Sequence, residues 1–305
     1  MRQSILCLGE CMIEMADAGG GLYRRGFAGD TFNTAWYARR MLPADWSVSY
    51  GSCIGTDAAS AEMAAFMEGE GVDTASLRRV KDRTVGLYMI SLENGERSFS
   101  YWRGQSAAKT LADDPAWLEA VLKDRAYIYF SGITLAILAP TAREALCAAL
   151  ARARAAGSVI AFDTNLRPAL WDDQDTMRKG MLAGAAVADI VLPSFDEEVV
   201  LFGDATPDET IARYSGLGAR IIPVKNGGGA LTLWDAQGIR PFAAEAVATV
   251  VDTTAAGDSF GAAFLAGLAT GQSTDTAAQG AMALAAKVIQ SRGALVPAIF
   301  EGETQ

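Results

Sequence analysis

The chain contains no histidine. Ser-His-Asp hydrolysis, Cys-His catalysis and His-ligated zinc are therefore excluded, and proton transfer must fall to a carboxylate, a lysine or a tyrosine. Cysteine is scarce. Cys7, Cys11, Cys53 and Cys147 form no C-x-x-C pair and are too sparse for a disulfide framework, which points to a reducing cytoplasm. No segment approaches the roughly 18 uninterrupted apolar positions of a membrane-spanning helix. The apolar start at 4–9 is broken by Glu10 and Glu14, too early for a signal-peptide core, and reads as a first buried strand. Basic charge is also short: 26 Lys and Arg against 36 Asp and Glu leave a net charge of -10. A nucleic-acid partner would ask for a basic face, so none is expected. Neither a G-x-x-x-x-G-K-[ST] loop nor a G-x-G-x-x-G fingerprint occurs; 104–110 comes nearest the former but lacks its second glycine.

What is present is a chain of 305 residues, half of them hydrophobic. Short β-rich runs at 4–9, 47–53, 126–131, 158–163, 189–193, 219–225 and 230–234 alternate with alanine-rich helical stretches. The stretch 141–156 combines high helix propensity with a plausible stop at Gly157. This alternation predicts an α/β fold with a mostly parallel sheet covered on both faces, and ligands at the carboxyl ends of its strands. One segment breaks the pattern. Residues 85–103 read as two strands around the Asn94-Gly95 turn, with Arg97, Phe99, Tyr101 and Arg103 on one face. Such a hairpin does not suit a parallel core. The expectation is a single domain over 1–305, with a β-sheet flap, or lid, from approximately 10–28 and 84–106.

The segment Asp252-Thr253-Thr254-Ala255-Ala256-Gly257-Asp258-Ser259-Phe260 runs from a loop into an apolar helix. Backbone N–H groups of 255–258 are unpaired at such a helix start and suit an anion, and small side chains at 255–257 permit close approach. Asp258 beside a bound phosphate is placed to take a proton from an attacking hydroxyl. Taken alone, the segment also fits an ordinary capped helix. Two arginines, Arg103 at the flap end and Arg167 after a strand, suit a carboxylate better than a neutral sugar would require. Each also fits a surface charge, and Arg167 a phosphate contact.

The Asp252–Phe260 string closely resembles the signature of the ribokinase-like (PfkB) carbohydrate kinase family, whose final Asp is the catalytic base and whose loop forms an anion hole. Gly29-Asp30-Thr31-Phe32-Asn33 is similar to that family's sugar-binding segment, and Lys225-Asn226-Gly227-Gly228-Gly229-Ala230 to its nucleotide-binding turn. Gly9–Glu14, Tyr101-Trp102-Arg103, Phe130–Leu138, Asp163–Trp171 and Val288–Ala294 resemble the 2-keto-3-deoxygluconate kinases within the family. The resemblance spans essentially the whole chain. It implies a three-layer ribokinase-like sandwich that uses ATP and Mg2+ to phosphorylate the 6-hydroxyl of a sugar acid. Asp258, Gly257, Ala256 and Ala255 would be catalytic. Gly29, Asp30, Asn33, Tyr88, Tyr101, Arg103 and Arg167 would bind substrate together with Asp258. Asn165, Ser194, Lys225, Gly227, Gly228 and Gly229 would join the 255–257 loop in binding nucleotide. Ser194 stands where the family's magnesium motif has Asn, which leaves Glu197 as its acidic member, acting through water. The resemblance also implies a homo-oligomer through the lid, and the sequence leaves open a requirement for a monovalent cation such as K+. A kinase of fructose or ribose, and a silent sugar-acid-binding regulator on the same fold, remain open alternatives.

Overall fold

The computed structural model describes residues 2–93, 96–244 and 246–301, so the expected Asn94-Gly95 turn lies outside the described residues. Six strands form the central sheet in the order Ile190–Leu192, Val159–Asp163, Arg125–Ser131, Arg2–Leu8, Ser47–Ile54 and Leu77–Arg79. Every adjacent pair is parallel. Successive side chains of a strand point to opposite faces, and both faces here are covered. Ile5 and Cys7 pack with Phe32, Trp36 and Phe264 from the helices Asp30–Met41 and Ala256–Ala269. Leu6 and Leu8 pack with Leu146, Leu150 and Met181 from the helices Pro140–Ala155 and Gln174–Ala186 on the other side. Each such buried side chain contributes about 1.5–3 kcal/mol, so the two layers fix the sheet between them. The helix Pro140–Ala155 stops at Gly157, whose φ of 104° only glycine adopts freely.

Two smaller sheets flank this core. Leu22–Ala28, Met12–Gly19, Gly86–Glu93 and Glu96–Trp102 form a four-stranded sheet in that order. Its outer pairs are antiparallel and its central pair, Met12–Gly19 with Gly86–Glu93, is parallel. The last two sequence runs differ from expectation. Ile222–Val224 and Leu231–Asp235 are antiparallel and add Gly238–Phe242 as a third strand. The reason is the length of the connection: residues 225–230 are too few for the crossover of a dozen or more that parallel strands need. Isolated parallel bridges, Ile190 to Ile221 and Ser194 to Lys225, join this sheet to the edge of the core. Among the described residues no helix is long and apolar enough to cross a membrane.

Candidate active site

The carboxyl ends of the central strands gather polar residues along one edge. Ser131 pairs in register with Asp163, Asp163 with Leu192, and Ser194 with Lys225 further along the same edge. Two helix starts close over that edge. Gly29 precedes the helix Asp30–Met41, and a Cβ there would lie 2.2 Å from the Glu10 carbonyl oxygen, so only glycine fits. The second helix, Ala256–Ala269, begins from Ala255 in the left-handed region at φ 60°. Ala256 N–H turns back to Thr253 O at 3.2 Å and Ser259 N–H reaches Ala255 O at 2.9 Å. Among the described residues the N–H groups of Gly257 and Asp258 meet no protein acceptor. They are the free donors of the helix end, where an anion is favoured. The loop before them is held by Asp252, which accepts from Thr254 N–H at 3.0 Å and Gly293 N–H at 2.8 Å.

Asp258 is buried and couples the two helices. Asn33 Nδ2 donates to its Oδ2 at 2.8 Å and Thr34 Oγ1 to its backbone carbonyl at 3.3 Å. Asn33 is itself fixed, since Gly29 N–H donates to its Oδ1 at 3.3 Å. Burial, and after it the nearby Asp30 carboxylate, push the Asp258 pKa up to about 7, against the pull of Asn33 and Arg167. A carboxyl so poised can take a proton near neutral pH. Asp30 accepts from Ser131 Oγ and, at 3.1 Å, from Asn165 Nδ2. Burial also raises its pKa, while the Ser131 hydrogen bond opposes the shift. Asn165, held at a left-handed φ of 33°, spans both flanks: its Nδ2 reaches Asp30 and its N–H donates to Asp163 Oδ1 at 3.2 Å.

The opposite flank is built around Asp163, which pairs with Lys225 at 2.9 Å. Glu197 is half-buried and accepts from Leu166 N–H at 3.0 Å and from Arg167 at 3.3 Å. Burial raises its pKa, countered by the Leu166 hydrogen bond. Each of its two oxygens thus accepts one hydrogen bond. Among the described residues no group of three or more His, Cys, Asp or Glu could hold a metal ion. Ser194 begins the helix Phe195–Phe202. Gly227, Gly228 and Gly229 form the exposed turn between Val224 and Leu231, open to the approach of a ligand.

Arg167 is half exposed and bears on both Asp258 and Asp30, so it sits at their mouth. Arg103 is different. It makes a buried ion pair with Glu10, next to the strand Arg2–Leu8, and lies 5.9 Å from the Tyr101 ring centroid. Tyr88 is buried and donates to Glu14, whereas Tyr101 is 53% exposed and packs on Tyr88 with ring centroids 5.9 Å apart. Sequence reasoning missed Asp163, Ser131 and Glu10 as site residues. Ser131 and Asp163 are the last residues of the runs 126–131 and 158–163, and Glu10 follows the run 4–9; that position at a strand end is the signal that could have found them.

The residues 2–299 match the family model described as "pfkB family carbohydrate kinase". The chain is 39% identical over 310 aligned residues to the 2-dehydro-3-deoxygluconokinase of Escherichia coli, covering 97% of this chain and 98% of the relative. A PfkB protein from a Polaromonas species shares the fold with a TM-score of 0.84 at 26% identity, covering 99% of this chain and 100% of that one. The aminoimidazole riboside kinase of Salmonella enterica, solved with aminoimidazole riboside and an ATP analogue, aligns with a TM-score of 0.82 at 26% identity over 97% and 98% of the two chains.

Proposed function

The chain belongs to the pfkB family of carbohydrate kinases, and from that premise we propose that it transfers a phosphoryl group from ATP to the 6-hydroxyl of 2-dehydro-3-deoxygluconate, the 2-keto-3-deoxy sugar acid. Support for the acceptor comes from curated 2-dehydro-3-deoxygluconokinases at 34–39% identity over nearly the whole chain. Support for ATP comes from a relative of the same fold solved with an ATP analogue. The single observation that carries the chemistry is the buried Asp258, held by Asn33 at 2.8 Å beside two free N–H groups of the same helix end.

Among the described residues no protein donor reaches Asp258 Oδ1, which leaves it to face the acceptor. The hydroxyl proton passes to Asp258 as the hydroxyl oxygen bonds to the γ-phosphorus. The bond from that phosphorus to the β,γ-bridging oxygen breaks, and its electron pair leaves with ADP. Gly257 and Asp258 N–H groups stabilise the charge on the transferring group. Bound magnesium, reached from Glu197 through water, would shield phosphate charge. Asp30, Asn33, Arg167 and Arg103 orient the acid, and the turn at Gly227–Gly229 receives the nucleotide. The four-stranded sheet acts as a lid that excludes water, so that ATP is not hydrolysed instead.

Leu22, Phe99, Tyr101 and Trp102 are exposed on that sheet, which supports a homo-oligomer assembled through the lid; sedimentation equilibrium measures it. The four free cysteines support a cytoplasmic location. A coupled ADP-release assay with keto-deoxy acids, fructose and ribose tests the function. Preferred turnover of the keto-deoxy acid is expected, and preferred turnover of a neutral sugar would replace it with a neutral-sugar kinase. Running the assay in sodium and in potassium salts decides whether a monovalent cation such as K+ is required.

A further inference from the structure

We propose that Lys225, braced by Asp163, is the cation that neutralises the transferring phosphoryl group, and that Asp163 is its positioning residue; this rests on the kinase function above. The chain has no P-loop lysine, so a lysine that meets the phosphoryl group comes from elsewhere in the fold. Lys225 Nζ donates to both Asp163 oxygens, at 2.9 and 3.1 Å. An ammonium has three N–H donors, so one remains for a ligand.

Its direction follows from Gly257. A Cβ built there would stand 3.5 Å from Lys225 Nζ. The ammonium therefore flanks the helix end whose Gly257 and Asp258 N–H groups are free, and a phosphoryl group seated on those donors meets it. Arg167 is the other cation nearby: it is half exposed and bonds Leu166 O and Glu197 through Nη1, whereas Arg103 is paired with Glu10.

Asp163 suits the positioning role. Its side chain is 3% exposed and that of Lys225 is 12% exposed, so each charge needs the other as its partner in this buried setting. Asp163 Oδ1 also accepts from Asn165 N–H at 3.2 Å, so the carboxylate is anchored from a second side and cannot follow the ammonium. The pair also answers an electrostatic problem. Asp30, Asp163 and Asp258 converge on one pocket, and an anionic phosphoryl group entering it needs a positive charge at the point of transfer.

The experiment compares the full chain with Lys225→Met, Lys225→Arg and Asp163→Asn by ADP release, together with melting temperature. All are read on whichever acceptor wild type turns over fastest, so failure to use the keto-deoxy acid sinks only the function and leaves this test intact. Lys225→Met is expected to lower kcat by on the order of 10²–10³, as for loss of one transition-state donor, with acceptor KM within about two-fold. Lys225→Arg should recover part of that loss. Asp163→Asn, the same shape without the charge, should lower kcat by about 10-fold with the same split. Unchanged kcat in Lys225→Met, or a loss confined to the KM for ATP, would overturn the proposal. Should Asp163→Asn fail to fold, the two Lys225 variants decide alone.

Discussion

Burial acts on Asp258, the carboxyl that the proposed function makes the base. A raised carboxyl pKa means that the folded protein resists the charged form, which is the form a base requires. As pH falls through about 7, Asp258 in the free enzyme takes up its proton, so kcat/KM should fall on that acid limb. Asp258→Asn keeps the shape and loses proton acceptance. Turnover should fall by on the order of 10²–10⁴ with substrates still bound. Because the wild-type charge is disfavoured in the fold, its stability contribution is lost as pH rises through about 7. Asp258→Asn should therefore melt higher than wild type at pH 8. Unchanged turnover in this variant, or an acid limb that persists in its residual activity, would assign the proton to another group.

The helix start at 255–258 separates folding from function at the level of one element. Gly257 has a negative φ, and an added Cβ meets only the movable Lys225 ammonium at 3.5 Å. A side chain there is thus tolerated by the fold but fills the space where a phosphate would sit. Gly257→Val should melt near wild type and lose most of its turnover. Ala255 shows the reverse. Its φ of 60° costs an alanine about 1–2 kcal/mol, which glycine does not pay. Ala255→Gly should keep activity and gain stability of up to about 1 kcal/mol, since the entropy of the unfolded glycine offsets part of the strain. A lower denaturation midpoint would show that the left-handed turn is held by something other than local strain.

Across the whole molecule, the two arginines expected to share a role occupy different physical situations. Arg167 is half exposed, so Arg167→Ala should leave the melting temperature nearly unchanged. It should cut kcat/KM for the acid by about 10- to 150-fold, the equivalent of 1.5–3 kcal/mol of charge-assisted hydrogen bonding. Weak turnover of a neutral sugar should change little; equal losses for both, with a raised KM for ATP, would move Arg167 to the phosphate side. Arg103 fastens the four-stranded sheet to the core through Glu10, whose side chain is 1% exposed. Arg103→Ala strands that carboxylate, and breaking a buried pair costs roughly 3–5 kcal/mol. A clearly lowered melting temperature is expected, and its absence would mean that Glu10 is relieved by water or a proton.

Alternation of strand and helix, the helix start at 255–258 and the family motifs are properties of residues near one another along the chain, and these the sequence determined by itself. Local spacing decides which way a side chain faces and which N–H groups a helix end leaves free. The pairings that build the site are of another kind. Asn33 and Asp258 are 225 residues apart, Glu10 and Arg103 are 93, and Asp163 and Lys225 are 62. No periodicity records such distances, because they depend on the order of strands across the sheet and on which helix covers which face. The parallel pairing of Met12–Gly19 with Gly86–Glu93 is likewise a tertiary matter. Only closure of the chain into two layers around the sheet brings Asp30, Asp163 and Asp258 into one pocket, and burial there, followed by repulsion from Asp30 and Asp163, is what shifts Asp258 toward neutral pH.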